Sequence, residues 1–228
     1  TMFSCSDFLN QEPKTSLTEQ EAFSNLENIA PTVDGLYTAF RDSKSGREGL
    51  TFSLLGLDES KQGIVQMDDA AQASLDLYNG LLNSMSTQVD KMWSRRWPIV
   101  ISAANAIYAL DVLSETTQDE DTLDRIKRLK GESCFIRAMV MMELTMYWGE
   151  IPVVDIAKME NSARQPLEKV WKQIFDDFTF ASTSLKEKYT ESGDKTRATS
   201  GAAYAMLGKA YMSVPQETGM RDFKLAKE

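Results

Sequence analysis

Between Ile126 and Tyr147 apolar residues recur at helical spacing twice over, and this double periodicity limits the possible folds more than any other feature of the chain. Ile126, Leu129, Ile136, Val140, Leu144 and Tyr147, with Ser133 between them, form one stripe; Phe135, Met139, Met142 and Met146 form a second. A helix with one apolar face needs a neighbour on one side only, whereas a helix apolar over much of its circumference must be enclosed by others. Gly149 and Pro152 mark its end.

The enclosing helices are legible on either side. Val33, Leu36, Tyr37 and Phe40 form the stripe of a first helix, announced by the capping-box spacing of Thr18 to Glu21 and tolerating Pro31 in its first turn. Residues 41–47 read as a loop. Val100, Ala103, Ile107 and Leu110 define a second long helix, with Pro98 expected to open or kink it and the polar stretch 114–122 ending it. Val170, Ile174, Phe178, Ala181 and Leu185 place a helix over about 166–189, closed by Ser192-Gly193-Asp194. Ala202, Ala203, Leu207 and Tyr211 place another over 199–213, and Pro215 and Gly219 precede a further start near Asp222. Residues 49–84 hold glycines at 49, 56, 63 and 80 without a sustained period, which predicts loops with short elements.

Paired helices joined by short turns predict a mostly α-helical repeat array. Leu207-Gly208-Lys209-Ala210-Tyr211, followed by Phe223 and Ala226, resembles the spacing of a tetratricopeptide repeat.

Composition removes several functions. The chain has no histidine, which takes away the usual general base, the usual metal ligand and any imidazole triad. Its net charge is −9 without a polybasic block, which opposes capture of nucleic acid or anionic lipid by charge. Cys5 and Cys134 have neither zinc-ligand nor multi-bridge spacing, so no metal or cofactor is expected. No uninterrupted apolar run reaches the roughly 18 residues of a membrane span.

Several blocks in order resemble the SusD/RagB family. Cys5-Ser6-Asp7-Phe8-Leu9 with Pro13 resembles its lipidated mature N-terminus, and Val33-Asp34-Gly35-Leu36-Tyr37 its first-helix GxY segment. Trp93 and Trp97 with Ala104-Asn105 are similar to its W-x3-Y...AN helix. Gly131-Glu132-Ser133-Cys134-Phe135-Ile136-Arg137-Ala138 resembles GEAxFLRA, and Tyr147-Trp148-Gly149-Glu150-Ile151-Pro152 the YxGxxP turn that follows. Arg164, Val170, Ile174, Asp177 and Ala181, then Arg197 to Tyr211, complete the register.

The resemblance implies a tetratricopeptide-like array supporting a loop-rich ligand face. It also implies capture of oligosaccharide at the surface of a Gram-negative outer membrane, with delivery to a SusC-like TonB-dependent transporter and no enzymatic activity. Residues 1–17 would be an extended arm bearing the lipidation cysteine Cys5, and residues 18–228 a helical domain incomplete at its C-terminal end. A helical-repeat scaffold that binds proteins without touching sugar is the alternative.

Cys134 is expected to pack in the core, Glu132 and Arg137 to pair with neighbouring helices, and Asn105 to bond a loop backbone. The acid pairs Asp58-Glu59 and Asp68-Asp69 read as solvated loop charge rather than a glycosidase dyad. Asp58, Tyr78, Trp93 and Arg96 are the candidate ligand residues, for their hydrogen-bonding or stacking chemistry near the junction of the irregular stretch with the second long helix. For Cys5, metabolic fatty-acid labelling of the full-length protein should be lost in Cys5→Ala, since stable anchoring takes two or more acyl chains; label that persists would reject the assignment.

Overall fold

The computed structural model describes residues 25–45, 51, 53–63, 70–154, 163–190 and 196–227. Its main elements are α1 (Leu26–Lys44), α2 (Ala70–Leu77), α3 (Thr87–Thr116), α4 (Glu120–Trp148), α5 (Leu167–Ser184) and α6 (Ser200–Ser213), followed by a 3-10 turn at Gln216–Thr218. The expected arm, Cys5, the 18–21 capping signal, the Asp68-Asp69 pair and the Ser192-Gly193-Asp194 terminator lie outside the described residues.

Local chemistry sets the boundaries. Asn25 caps α1 by accepting from the Asn28 N–H at 2.9 Å. The described helix thus begins at Leu26, and Pro31 falls in its second turn rather than its first. It also continues through residues 41–44, expected as loop, to a close where the Ser45 N–H bonds to the Arg41 carbonyl. Pro98 neither starts nor breaks α3, which is one helix from Thr87 to Thr116. Pro98 and Ser94, whose carbonyl a proline four residues on cannot engage, are both on its exposed side, where water satisfies that carbonyl. Asp119 caps α4 with bonds from the Thr122 hydroxyl and N–H, and these hold its carboxyl below the ordinary range. The turn of Thr117 to Asp119 is too short for anything but an antiparallel α3–α4 hairpin. Helix α5 stops at Ser184, short of the expected 189. From Asp222 onward the chain makes hydrogen-bonded turns rather than the expected helix.

Helix α4 is the centre, with α1, α3, α5 and α6 all packed against it. Its Ile136, Ala138, Val140, Met141, Met142 and Leu144 are buried among Ile99, Val100 and Ala103 of α3 and Val170, Trp171, Ile174 and Phe178 of α5. Cys134 is buried in the same layer, and burial followed by the nearby Asp177 carboxylate pushes its thiol well up, which leaves it unreactive. By length and composition α3 is apolar enough to cross a bilayer, even though polar residues interrupt its apolar runs. Its Val100, Ala103 and Leu110 are instead fully buried in the protein core. The tetratricopeptide-like spacing at the end of the chain has a steric basis, because a Cβ on Gly208 would sit 2.9 Å from the Ala226 carbonyl oxygen.

Charged side chains of α4 reach nearly every neighbour. Glu132 is fully buried and accepts from Arg128 at 3.1 Å and from Arg197 at 2.7 Å. The other arm of Arg197 reaches Asp34 of α1 at 2.7 Å. Tyr37 stands beside this carboxylate with its hydroxyl accepting from the Ala198 N–H, and burial first and Glu132 second raise its phenol far above the ordinary value. Arg137 grips Asp177 of α5 through two bonds of 2.7 Å, and Gln173 adds a third at 3.0 Å. Glu143 accepts from Arg96 of α3 at 3.1 Å and pairs with Lys44 of α1. Glu132 and Arg137 therefore join helices, as their types and spacing predicted. Asn105 differs from its expectation: it is exposed on α3, so its amide needs no protein partner.

Removing one member of a buried pair strands the other charges. Glu132→Ala should cost about 3–5 kcal/mol in urea unfolding, against about 0–1 kcal/mol for Asp34→Ala, whose half-exposed carboxylate water replaces. Equal losses would show that the buried carboxylate has no special weight.

Candidate functional site

A cleft of about 380 Å³ opens where the start of α3 and the end of α4 meet the irregular part of the chain. Leu55, Leu75, Tyr78 and Leu82 form one wall; Val89, Met92, Tyr147 and Trp148 form the other. The first wall comes from short elements, the second from the ends of two long helices.

The irregular wall is organised by a few polar contacts. Gly56 has φ +78°, and a Cβ there would lie 2.5 Å from the Tyr78 hydroxyl oxygen and 2.7 Å from the Leu75 carbonyl, so only glycine fits. The Tyr78 hydroxyl donates to the Gly56 carbonyl at 2.7 Å, although Tyr78 itself has φ +47°, a conformation costly for an aromatic residue. Asp76 of α2 accepts from the Gly56 N–H at 3.4 Å and the Gln62 N–H at 3.2 Å, one to each carboxylate oxygen. Asn79 and Asn83 then shape successive tight turns by accepting from the N–H groups of Leu81 and Met85.

The helical wall is an aromatic series. Trp93 stacks on Trp97 at 5.0 Å and meets Trp148 edge-on at 5.3 Å, while Tyr147 meets Trp148 at 6.0 Å. Tyr147 remains 54% exposed and lines the cleft. Burial and then the nearby Glu143 raise its phenol above the ordinary value.

The sequence candidates separate accordingly. Tyr78 lines the cleft. Trp93 stands one ring behind it, in contact with Trp148 and partly buried against the core. Asp58 is exposed on the turn closed by the Leu57–Ser60 bridge, outside the lining. Arg96 points inward: its side chain is 4% exposed and holds Glu143. Tyr147, expected in the apolar stripe of the central helix, is instead exposed at the end of that helix, and Trp148 is not among the candidate ligand residues read from the sequence. The available signal was two adjacent aromatics directly before the Gly149 helix end, where a helix can present rings beyond its own packed face.

A second cleft, of about 520 Å³, lies among α1, α4 and the start of α6, and its Arg197 and Tyr37 are committed to the fold. Arg197 there holds Asp34 and Glu132, and the Tyr37 hydroxyl holds the Ala198 N–H. Among the described residues no three His, Cys, Asp or Glu side chains are grouped so as to hold a metal ion.

Comparison with known proteins bears on this arrangement. A family profile described as SusD-like, "Starch-binding associating with outer membrane", matches residues 7–212. SusD-like protein P25 of Formosa agariphila is 21% identical over 224 residues, covering 92% of this chain and 40% of the relative. Among solved structures, a SusD-like protein from Bacteroides fragilis superposes with a TM-score of 0.65 at 22% identity, over 94% of this chain and 41% of that one. A laminarin-binding SusD-like protein does so with a TM-score of 0.66 at 21% identity, over 82% and 40%. The chain thus spans about 40% of the length of the relatives it matches, and the helical fold is shared.

The two aromatic positions on the helical wall should separate in their effects on stability. Trp93→Ala, which removes a ring packed between two others, should cost about 3 kcal/mol in thermal or urea unfolding. Tyr147→Ala should stay within about 0.5 kcal/mol of the parent because its ring is largely exposed. A reversed order would mean that Trp93 is the exposed platform and Tyr147 the packed one.

Proposed function

The chain belongs to the SusD-like family, and from that premise we propose that it is a non-enzymatic glycan-capture protein whose ligand sits in the cleft between Tyr78 and the Tyr147–Trp148 pair. The observation that carries this reading is the pairing of exposed aromatic rings with an organised loop wall. Aromatic faces stack on the apolar faces of sugar rings, and tyrosine hydroxyls and backbone groups of the loop meet sugar hydroxyls. The laminarin-binding SusD-like structure, and the family description as starch-binding, support a neutral glucan as the first ligand to try.

In the cell, the proposal places the protein on the outer membrane, held by acyl chains on Cys5, and passing its glycan to a SusC-like TonB-dependent transporter. Asp58 at the turn beside the loop wall would contact the outer part of a longer oligosaccharide. Trp93 would act by supporting Trp148 from behind, and Arg96 by fixing Glu143 behind Tyr147. The alternative, a protein-binding scaffold, draws on Leu57, Leu77, Leu81 and Met85, which are exposed around the same cleft and contribute no sugar hydrogen bonds.

Calorimetric titration of the full-length protein with laminarin and with soluble starch tests both readings. Binding should weaken by about 1–3 kcal/mol in Tyr147→Ala and in Trp148→Ala, by analogy with aromatic stacking on bases. Undiminished affinity in both variants would remove the cleft as the glycan site, and absence of heat with either glycan would favour the scaffold reading.

A further inference from the structure

Asp76 is the one acid of the irregular segment whose carboxylate is used twice by backbone in the described structure, and it lies outside the cleft lining. Its two oxygens accept from Gly56 and Gln62, which flank the turn bearing Asp58. Two residues on, just past the end of α2, Tyr78 closes a second tie to Gly56, through its hydroxyl and the Gly56 carbonyl. Both backbone polar groups of Gly56 are therefore held by side chains that belong to, or directly follow, α2. We infer that Asp76 is a positioning residue for the ligand cleft: it locks the 56–62 turn to α2, so that Leu55, Leu75 and Tyr78 present one rigid wall.

Three features make this more than a loop contact. Helix α2 has only eight residues, too few to be stable by itself, so its position depends on what it packs and bonds against. Tyr78 is held at positive φ, a conformation that persists only when its surroundings fix it, and the Gly56 anchor is what Asp76 holds in place. Gly56 leaves no space for a Cβ against the Tyr78 hydroxyl and the Leu75 carbonyl, so the turn is seated directly on the end of α2. A wall ordered before the ligand arrives avoids the entropy of ordering it at binding, and its loss appears as faster dissociation.

The inference rests on the proposed cleft, and one set of variants of the full-length protein separates the two. Laminarin and soluble starch are the probes, with affinity and dissociation rate measured for Asp76→Ala, Asp76→Asn and Trp148→Ala, together with melting temperature and amide hydrogen exchange at Gly56 and Gln62. Asp76→Ala should weaken binding about ten-fold, mostly through dissociation. Exchange at both amides should rise, and the melting temperature of the helical body should stay within about 2 °C. Asp76→Asn keeps one carbonyl acceptor and should recover part of the affinity and the protection of one amide. If Trp148→Ala weakens binding while Asp76→Ala does not, the positioning role is wrong and the cleft stands. If neither variant changes binding, or the parent holds neither glycan, the cleft reading fails and the role of Asp76 goes with it. A large melting loss with unchanged dissociation would also overturn the inference, as a purely structural role predicts that result.

Discussion

A carboxylate with no exposure to solvent, Glu132, sits at the centre of the helix that every other long helix touches. Left unpaired it would be prohibitively costly, and the fold answers with two guanidinium groups, Arg128 from the same helix and Arg197 from the approach to α6. Arg197 extends the contact to Asp34 of α1, so one buried charge ties the first helix, the central helix and the last into a fixed relation. Apolar packing would hold these helices together in several registers; a charge that must find its partners admits few.

The other charges of α4 follow from helical geometry. Glu143 lies eleven residues after Glu132, which at about 100° per residue returns it to within about 20° of the same face. Both acids accordingly address α1, one through Arg197 and Asp34 and the other through Lys44, and Glu143 also receives Arg96 from α3. Arg137, five residues after Glu132, points about 140° away and meets α5 at Asp177. From Gly131 onward the central helix is mostly apolar, and its charged side chains Glu132, Arg137 and Glu143 each meet a partner. That arrangement fixes the ends of α3 and α4, and those ends form the rigid wall of the proposed glycan cleft.

The cleft inherits its asymmetry from this scaffold. On the helical side, Trp97, Trp93, Trp148 and Tyr147 form a chain of ring contacts running from the core to an exposed position. On the other side the backbone is short of regular structure, and its shape comes from side chains that bond to main-chain groups: Asp76, Tyr78, Asn79 and Asn83. A surface built in this way can vary in sequence without disturbing the helical body.

What the sequence determined by itself is the helical body. The spacing of Ile126 to Tyr147 required an enclosed central helix, and its stripes, together with those of α1, α3, α5 and α6, are periodic signals that need only the chain's own order to be read. The type of Glu132 and Arg137 foretold pairing, since a charge on an apolar helix has few other fates. Boundaries were less legible: Pro98 lies within α3 because its side of the helix faces water, and Asn105 is free of a protein partner for the same reason, both facts of orientation rather than composition. The site was legible only in part. Tyr78 lines the cleft, but Arg96 turns inward to Glu143, and Trp148 lines the same cleft as Tyr78 from seventy residues further along the chain. Periodicity is local, whereas a cleft is made by the meeting of distant segments whose approach depends on buried charges and packed rings, and only the tertiary structure decides that.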